Sequence, residues 1–390
     1  MNPVTTPEKQ TQSSTSRQNP LLELQKYGQS VWLDYIRRDL ITGGELRRLI
    51  DQDGLRGITS NPSIFEKAIT GSNDYADYLG QLIAQRLGTG EIYERIAVRD
   101  IQDAADILLP VYKSTNKRDG YVSLEVSPTL ARDTPGTIEE ARRLWKTVNR
   151  SNIMIKVPGT PEGAPAVRQL ISEGININIT LLFAQEAYVK VAEAYIDGLE
   201  AALQAGKDIT GIASVASFFV SRIDALADSM IDERLKTATA PQDQDLLRGL
   251  HGKVAIANAK QAYRSYQGMT AGQRWKVLAA RGAQTQRLLW ASTSTKNPKY
   301  RDVLYIEELI GPDTVNTIPP ATMDAFRDHG IIRRTLDADL PAADKTMTDL
   351  ERAGVSMQKV TDQLLDDAIK LFADAFQKLL AAVEQKKRNQ

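Results

Sequence analysis

The run Ile153-Met154-Ile155-Lys156-Val157-Pro158-Gly159-Thr160 sets one lysine among apolar and β-branched neighbours, where a charged side chain is costly to bury unless chemistry requires it. At a free pKa of about 10.4, roughly 0.04% of a lysine is neutral amine at pH 7, too little for an efficient nucleophile. Desolvation favours the uncharged form and can lower that pKa by several units. Only the neutral amine attacks a carbonyl, so a strand-borne, poorly hydrated Lys156 is a candidate Schiff-base former. Taken alone, the same lysine could stand at a strand end, snorkelling to water or pairing with a carboxylate. Its companions in the chain decide between these readings.

Side chains alternate across a strand, so residues two apart face the same side. On that rule Asp34 shares a face with Trp32, Thr59 with Asn61, Glu125 with Ser123, Lys156 with Met154, Thr180 with Asn178 and Asn176, and Ser292 with Trp290 and Ser294. All fall at or near the C-terminal ends of their runs. Singly, each has a plain structural explanation: Asn61 and Asn178 as turn formers, Thr180 as a β-former, Ser217 as a strand-end hydroxyl, Asp34 as a helix cap. Six strands ending in polar groups on one side are harder to explain that way, because a closed apolar barrel would have to satisfy every one. Jointly they read as a site.

The elements that must position these residues alternate between short apolar runs and longer stretches of helical period, such as 138–148 and 183–205. That alternation argues for βα units and a parallel sheet. Strands are expected over 31–34, 57–60, 121–126, 153–157, 176–182, 209–217, 287–292 and 314–318. Eight strands, each followed by a helix, make an α/β fold of the TIM (β/α)8 barrel type, whose C-terminal strand ends form the catalytic mouth. The intervals 61–120 and 218–286 are each long enough for two or more helices, with the Asp/Gln-rich stretch 240–245 expected as an exposed turn. Over 361–383, Leu365, Ile369, Phe372, Phe376, Leu379 and Val383 recur at helical spacing. This predicts a long C-terminal helix that serves chiefly as core and lies near the mouth. The expected organisation is a single barrel domain with helical insertions over 20–390, preceded by a disordered Thr/Ser/Gln/Pro-rich tail over 1–19. No P-loop or dinucleotide-type glycine loop is present.

Composition narrows the function classes. With 390 residues, 42% of them hydrophobic, the chain can bury a large core. Its formal net charge is zero, with lysines and arginines scattered, so no basic face for nucleic acid or anionic lipid is expected. With zero cysteines, neither disulfides nor thiolate metal sites can form. The two histidines, His251 and His329, stand apart from any cluster of carboxylates in the sequence and are expected on the surface or on helices. No metal site is expected. No run approaches 18 apolar residues and the N-terminus lacks the apolar core of a secretory signal, which suggests a soluble, cytoplasmic protein. A transit peptide would carry more cations than Lys9 and Arg17.

The segments Thr59-Ser60-Asn61-Pro62-Ser63, Leu124-Glu125-Val126, Ile155-Lys156-Val157, Asn176-Ile177-Asn178-Ile179-Thr180-Leu181-Leu182-Phe183 and Ser217-Phe218-Phe219-Val220-Ser221-Arg222-Ile223 resemble the motifs of the transaldolases, in that family's order. The resemblance covers about residues 20 to 320. The chain length and Trp290-Ala291-Ser292-Thr293-Ser294-Thr295-Lys296-Asn297-Pro298 are similar to the family's longer bacterial branch. The resemblance implies reversible transfer of a dihydroxyacetone unit from sedoheptulose 7-phosphate or fructose 6-phosphate to an aldose phosphate, within the non-oxidative pentose phosphate pathway. It implies no cofactor, and a monomer or homodimer. It also implies roles: Lys156 forms the imine, Glu125 acts through a water held by Thr180, and Asp34 exchanges the C4 hydroxyl proton. Asn61 and Asn178 bind hydroxyls of the three-carbon fragment, with Thr59 and Ser217 on the same wall. Phosphate recognition falls to Arg222 and the loop after the seventh strand. There the shorter branch has a serine, an arginine and an asparagine; here stand Ser294, Lys296 and Asn297, with Ser292 as an alternative serine. Lysine offers a point charge rather than a bidentate fork.

Two other readings share these residues. A class I aldolase-like enzyme would use the same lysine but release the three-carbon fragment. A sugar-phosphate-binding barrel without turnover would have no need of Lys156.

Overall fold

The computed structural model describes residues 19–388. The expected tail over 1–19 falls outside them except for Asn19. That residue is an N-cap, with its side-chain oxygen accepting from Leu21 N at 3.0 Å and its amide donating to Asp53 at 2.7 Å.

β-branched and aromatic residues fill strands of three to six residues: β1 Gln29–Asp34, β2 Gly57–Thr59, β3 Tyr121–Glu125, β4 Ile153–Pro158, β5 Ile177–Leu182, β6 Ser214–Phe219, β7 Arg287–Ala291 and β8 Thr314–Ile318. All pair in parallel, in the order β1 to β8, and β8 returns to β1 to close the barrel. The fold is therefore the expected TIM barrel. Both faces of such a sheet are covered, so the strands are buried nearly throughout.

Both long intervals hold several helices. Between β2 and β3 lie Pro62–Thr70, Ala76–Ala84 and Thr89–Ser114; between β6 and β7 lie Ser221–Leu235, Pro241–Arg248, Val254–Ala271 and Gln273–Ala279. The stretch 240–245 is thus not a turn: Pro241 opens a helix after an extended Ala240. Proline's fixed φ suits the first helical position, and the Asp and Gln residues occupy the solvent face while Leu247 is buried. β6 begins at Ser214 rather than 209. Asp208 accepts from the Thr210 amide and hydroxyl, both at 2.9 Å, folding a turn where a strand was expected, although Ile209 and Ile212 remain buried.

A third correction concerns β7. Ser217, which faces the barrel interior, pairs in register with Leu289, so Leu289 and its same-face neighbours Arg287 and Ala291 point inward. Trp290 points outward, packing edge-on against Phe218 at 6.3 Å. Ser292 nevertheless reaches the interior because its φ of 55° breaks the strand alternation. Sharing a face with Trp290 is therefore not what aims it.

The N-terminal end of the barrel is closed by a buried polar group. Arg287 donates to Ser30 Oγ at 2.8 Å and to Asp119 at 2.9 Å, and Asp119 also accepts from Ser30 and from the Trp32 ring at 3.2 Å. Gly57 is required beside this layer, since a Cβ there would lie 2.5 Å from the Trp32 ring. Across the opposite end runs the C-terminal helix Met357–Arg388, longer than expected. Phe372, Leu379 and Val383 are buried, and Phe376 meets Tyr93 edge-on at 5.7 Å. Among the described residues no helix is long and apolar enough to cross a membrane.

Candidate active site

Lys156 projects inward from β4, and its Nζ donates to the Ser60 carbonyl at 3.0 Å. Glu125 is its register neighbour on β3, with Oε2 3.5 Å from the amine. The two side chains are only 6% and 5% exposed, so the attraction between them is weakly screened. Burial pushes the Glu125 carboxyl above its ordinary range, against the pull of Lys156 and with a further push from Asp34. Asp34 ends β1. Burial raises its pKa as well, while Lys156, the Thr59 hydroxyl and Lys296 pull it down. Thr59 donates to Asp34 Oδ1 at 2.7 Å, and Thr317 lies 2.7 Å from the same Thr59 hydroxyl. One amine thus stands between two carboxyl groups whose protonated forms persist to higher pH than usual.

These groups surround a cavity of about 580 Å³ at the C-terminal ends of the strands. Asp34, Thr59, Asn61, Lys156, Thr180, Ser217, Arg222, Ser292, Ser294 and Lys296 all line it. Glu125 lies behind Lys156 rather than on the wall. Thr180 faces inward by regular alternation with Asn178, the register neighbour of Lys156, and the irregularity of β5 falls just after it: the register against β6 shifts between Ile179 and Leu182, and Leu181 has a φ of 61°. Its hydroxyl is buried without a hydrogen-bond partner among the described residues. Asn61 caps the helix Pro62–Thr70 through Oδ1, which accepts from Ile64 N at 3.0 Å.

Asn178 is placed differently from the expectation. It is fully buried below the cavity, where its amide donates to Ser123 Oγ at 3.0 Å and its oxygen accepts from Ser217 Oγ at 2.7 Å. The orientation of the amide is fixed by these two partners.

Arg222 stands in the first turn of the helix Ser221–Leu235, with its guanidinium 6.0 Å from the centre of the Phe219 ring. No carboxylate pairs with it among the described residues. Burial lowers its pKa. Lys296 donates to Ser294 Oγ at 2.9 Å; its pKa is lowered by burial and by Arg222, against an opposing effect of Asp34. Two cations facing one cavity without a carboxylate between them suit a bound dianion. Both Ser292 and Ser294 reach this corner, and Ser292 Oγ is 3.0 Å from Ser221 Oγ. Asn297 instead turns back to accept from Lys299 N at 3.0 Å.

Some lining residues carried no expectation. Thr317, at the C-terminal end of β8, would have been found by the same-face rule had that strand been included. Leu371, Phe372, Asp374, Ala375 and Lys378 line the mouth from the C-terminal helix, which lies there as expected, although its periodicity reveals an apolar stripe and not which residues face the cavity. The two histidines pair with surface carboxylates after all: His251 with Asp232 at 2.9 Å, and His329 with Asp302 at 2.9 Å and Asp328 at 3.1 Å. Folding brings Asp232 and Asp302 to the rings from separate segments, whereas Asp328 directly precedes His329. No group of three or more potential metal ligands forms among the described residues.

Comparison with known proteins gives consistent results. The model of the Transaldolase/Fructose-6-phosphate aldolase family matches residues 31–383. A transaldolase of Trichodesmium erythraeum is 50% identical over 370 residues, spanning 94% of this chain and 97% of the relative. Transaldolase 2 of Nostoc punctiforme is 50% identical over 371 residues, with the same shares covered. A transaldolase of Thermobifida fusca is 45% identical over 368 residues, spanning 94% and 98%.

Proposed function

The chain belongs to the transaldolase/fructose-6-phosphate aldolase family, and from that premise we propose that it moves a dihydroxyacetone unit between sugar phosphates through an imine at Lys156. The activity is that of a transaldolase. The donor in this reading is sedoheptulose 7-phosphate and the acceptor glyceraldehyde 3-phosphate, giving erythrose 4-phosphate and fructose 6-phosphate reversibly. One observation carries the reading: an amine 6% exposed, 3.5 Å from a carboxyl group, at the floor of a cavity with a second carboxyl group on its wall.

Lys156 adds to the ketone carbon, and the carbinolamine loses its hydroxyl as water to give the iminium. Glu125 supplies and recovers the proton through a water bound by Thr180. The raised Glu125 pKa and the free Thr180 hydroxyl support these roles. Asp34 takes the proton of the C4 hydroxyl, the C3–C4 bond breaks, and its electron pair enters the iminium to form an enamine. The aldose leaves, the enamine adds to the acceptor aldehyde, Asp34 returns the proton, and water releases the ketose. Asn61, Thr59 and Ser217 hold the fragment meanwhile, with Asn178 acting through Ser217. Arg222, Lys296, Ser292 and Ser294 hold the phosphate. Retention of the fragment until an acceptor arrives separates transfer from aldol cleavage, and the name shared by relatives at 43–50% identity supports transfer. A cytoplasmic site of action fits substrates whose phosphates prevent unaided membrane passage.

The test is reduction with borohydride in the presence of fructose 6-phosphate, followed by peptide mapping. A three-carbon adduct on Lys156 is expected, absent from Lys156→Ala. Label on another lysine, or none, rejects the mechanism. Product analysis with and without erythrose 4-phosphate then separates the reactions: release of free dihydroxyacetone regardless of acceptor would indicate an aldolase.

A further inference from the structure

We propose that Tyr300 and Tyr305 are positioning residues for phosphate recognition, clamping the loop that carries Ser294 and Lys296 onto the helix that carries Arg222. This rests on the phosphate role given above to Arg222 and Lys296. Those two cations face one cavity and repel each other, as the lowering of the Lys296 pKa by Arg222 reflects, so an unfastened loop would drift apart from the helix until an anion arrived. The helix Ser221–Leu235 holds the fastening. Asp224 and Asp228, one turn apart on one face of that helix, each bridge two segments. Asp224 Oδ2 accepts from the Tyr305 hydroxyl at 2.8 Å, and its Oδ1 accepts from Ala255 N at 2.7 Å. Asp228 Oδ2 accepts from the Tyr300 hydroxyl, and its Oδ1 accepts from Gly252 N at 3.2 Å. Both carboxylates thus tie the segment after β7 to the entry of the helix Val254–Ala271.

Two further features single out Tyr300. Gly252 has a φ of +67°, and a Cβ there would lie 2.8 Å from the Tyr300 ring, so the backbone is kept bare where the ring seats. Tyr300 N also donates to Asn297 O at 3.1 Å, closing a tight turn directly after Lys296. Movement of the ring is therefore passed to the lysine through four residues of constrained backbone.

The experiment measures competitive inhibition by inorganic phosphate and the kcat and KM for fructose 6-phosphate in Tyr300→Phe, Tyr305→Phe and Arg222→Ala. Borohydride trapping of unphosphorylated dihydroxyacetone serves as a control on Lys156. Removal of the Tyr300 hydroxyl should raise KM and the phosphate inhibition constant together by about tenfold, the scale of one lost hydrogen bond to a charged group, while kcat and the trapping rate stay within about twofold. Tyr305 is buried, and should its variant not fold, the partly exposed Tyr300 keeps the test intact. Unchanged phosphate affinity in Tyr300→Phe alongside a large loss in Arg222→Ala would overturn the clamp alone. Unchanged affinity in Arg222→Ala would overturn the phosphate reading and the clamp with it. Equal loss on dihydroxyacetone trapping would mark Tyr300 as merely structural and also overturn the clamp.

Discussion

Lys156 and Glu125 answer one another's burial. Each is nearly inaccessible, and either one alone would be an unpaired charge in a weakly polarisable site. Burial still prevails over the lysine's pull on Glu125, whose carboxyl remains above its ordinary pKa, so its protonated form persists to higher pH than that of an exposed carboxyl, as a proton donor needs. Glu125→Gln keeps the shape and removes the proton shuttle. Its expected effect is a fall of about 10²–10⁴-fold in the rate of imine formation with fructose 6-phosphate, with little change in KM. Rapid-quench borohydride trapping checks this, and a rate within a few-fold of the parent would remove Glu125 from the mechanism. Such residues were legible because they are polar at the ends of apolar runs. Asn178 satisfied the same rule yet lies beneath the wall, since a pattern of types cannot say which of two stacked inward residues meets the cavity.

At the scale of elements, the helix Ser221–Leu235 couples stability to pH. Burial pushes its Asp224 carboxyl up to about 7, with Asp228 adding to the effect and the Ala255 amide and Tyr305 hydroxyl opposing it. An aspartate in the unfolded chain titrates near 3.8. The folded chain therefore holds a proton that the unfolded chain has lost between about pH 4 and pH 7. Stability contributed by that proton is present below this window and falls as pH rises through it, by at most about 1.4 kcal/mol per pH unit. Asp228, Tyr300, Tyr305 and His251 face the same pocket of the structure, so the net curve includes them. Asp224→Asn should flatten the decline in unfolding free energy between pH 4 and pH 7, measured by urea titration; a parallel decline in both proteins would contradict the assignment. The strands themselves were readable as short apolar runs. The helix at Pro241 was not, because a polar stretch reads alike as a solvated helix face and as a loop; the turn at Asp208 was not, because its buried Ile209 and Ile212 read like the start of a strand. β7 misled for another reason: alternation ends wherever one residue adopts a positive φ, as Ser292 does.

For the whole molecule, the barrel divides its labour between its ends, with chemistry at the mouth and cohesion at the base. Eight βα units made the closed barrel legible, and with it a C-terminal helix near the mouth, whereas which residues of that helix face the cavity depends on contacts between residues far apart in the chain, such as Phe376 with Tyr93. The pairing that plugs the base was equally hidden, since Arg287 and Asp119 meet only when the barrel closes. Burial works to raise the Asp119 carboxyl, but Arg287 and the hydroxyl and indole donors outweigh it and hold it below its ordinary value. Arg287→Met would leave that carboxylate buried and unpaired, at an expected cost of about 3–5 kcal/mol. Adding Asp119→Asn removes the stranded charge; its one amide oxygen still accepts from the Trp32 ring, and its NH2 group donates to the Ser30 hydroxyl, which can turn to accept, so the double variant should be more stable than Arg287→Met alone. Because this pair lies at the opposite end of the strands from Lys156, kcat at a temperature where each variant is folded should remain within about twofold of the parent. Urea midpoints and steady-state kinetics on the four proteins of this cycle test both halves of the argument. Stability lost equally in the single and double variants would deny that the stranded charge is the cost, and a fall in kcat tracking the fall in stability would show that the two ends are not independent.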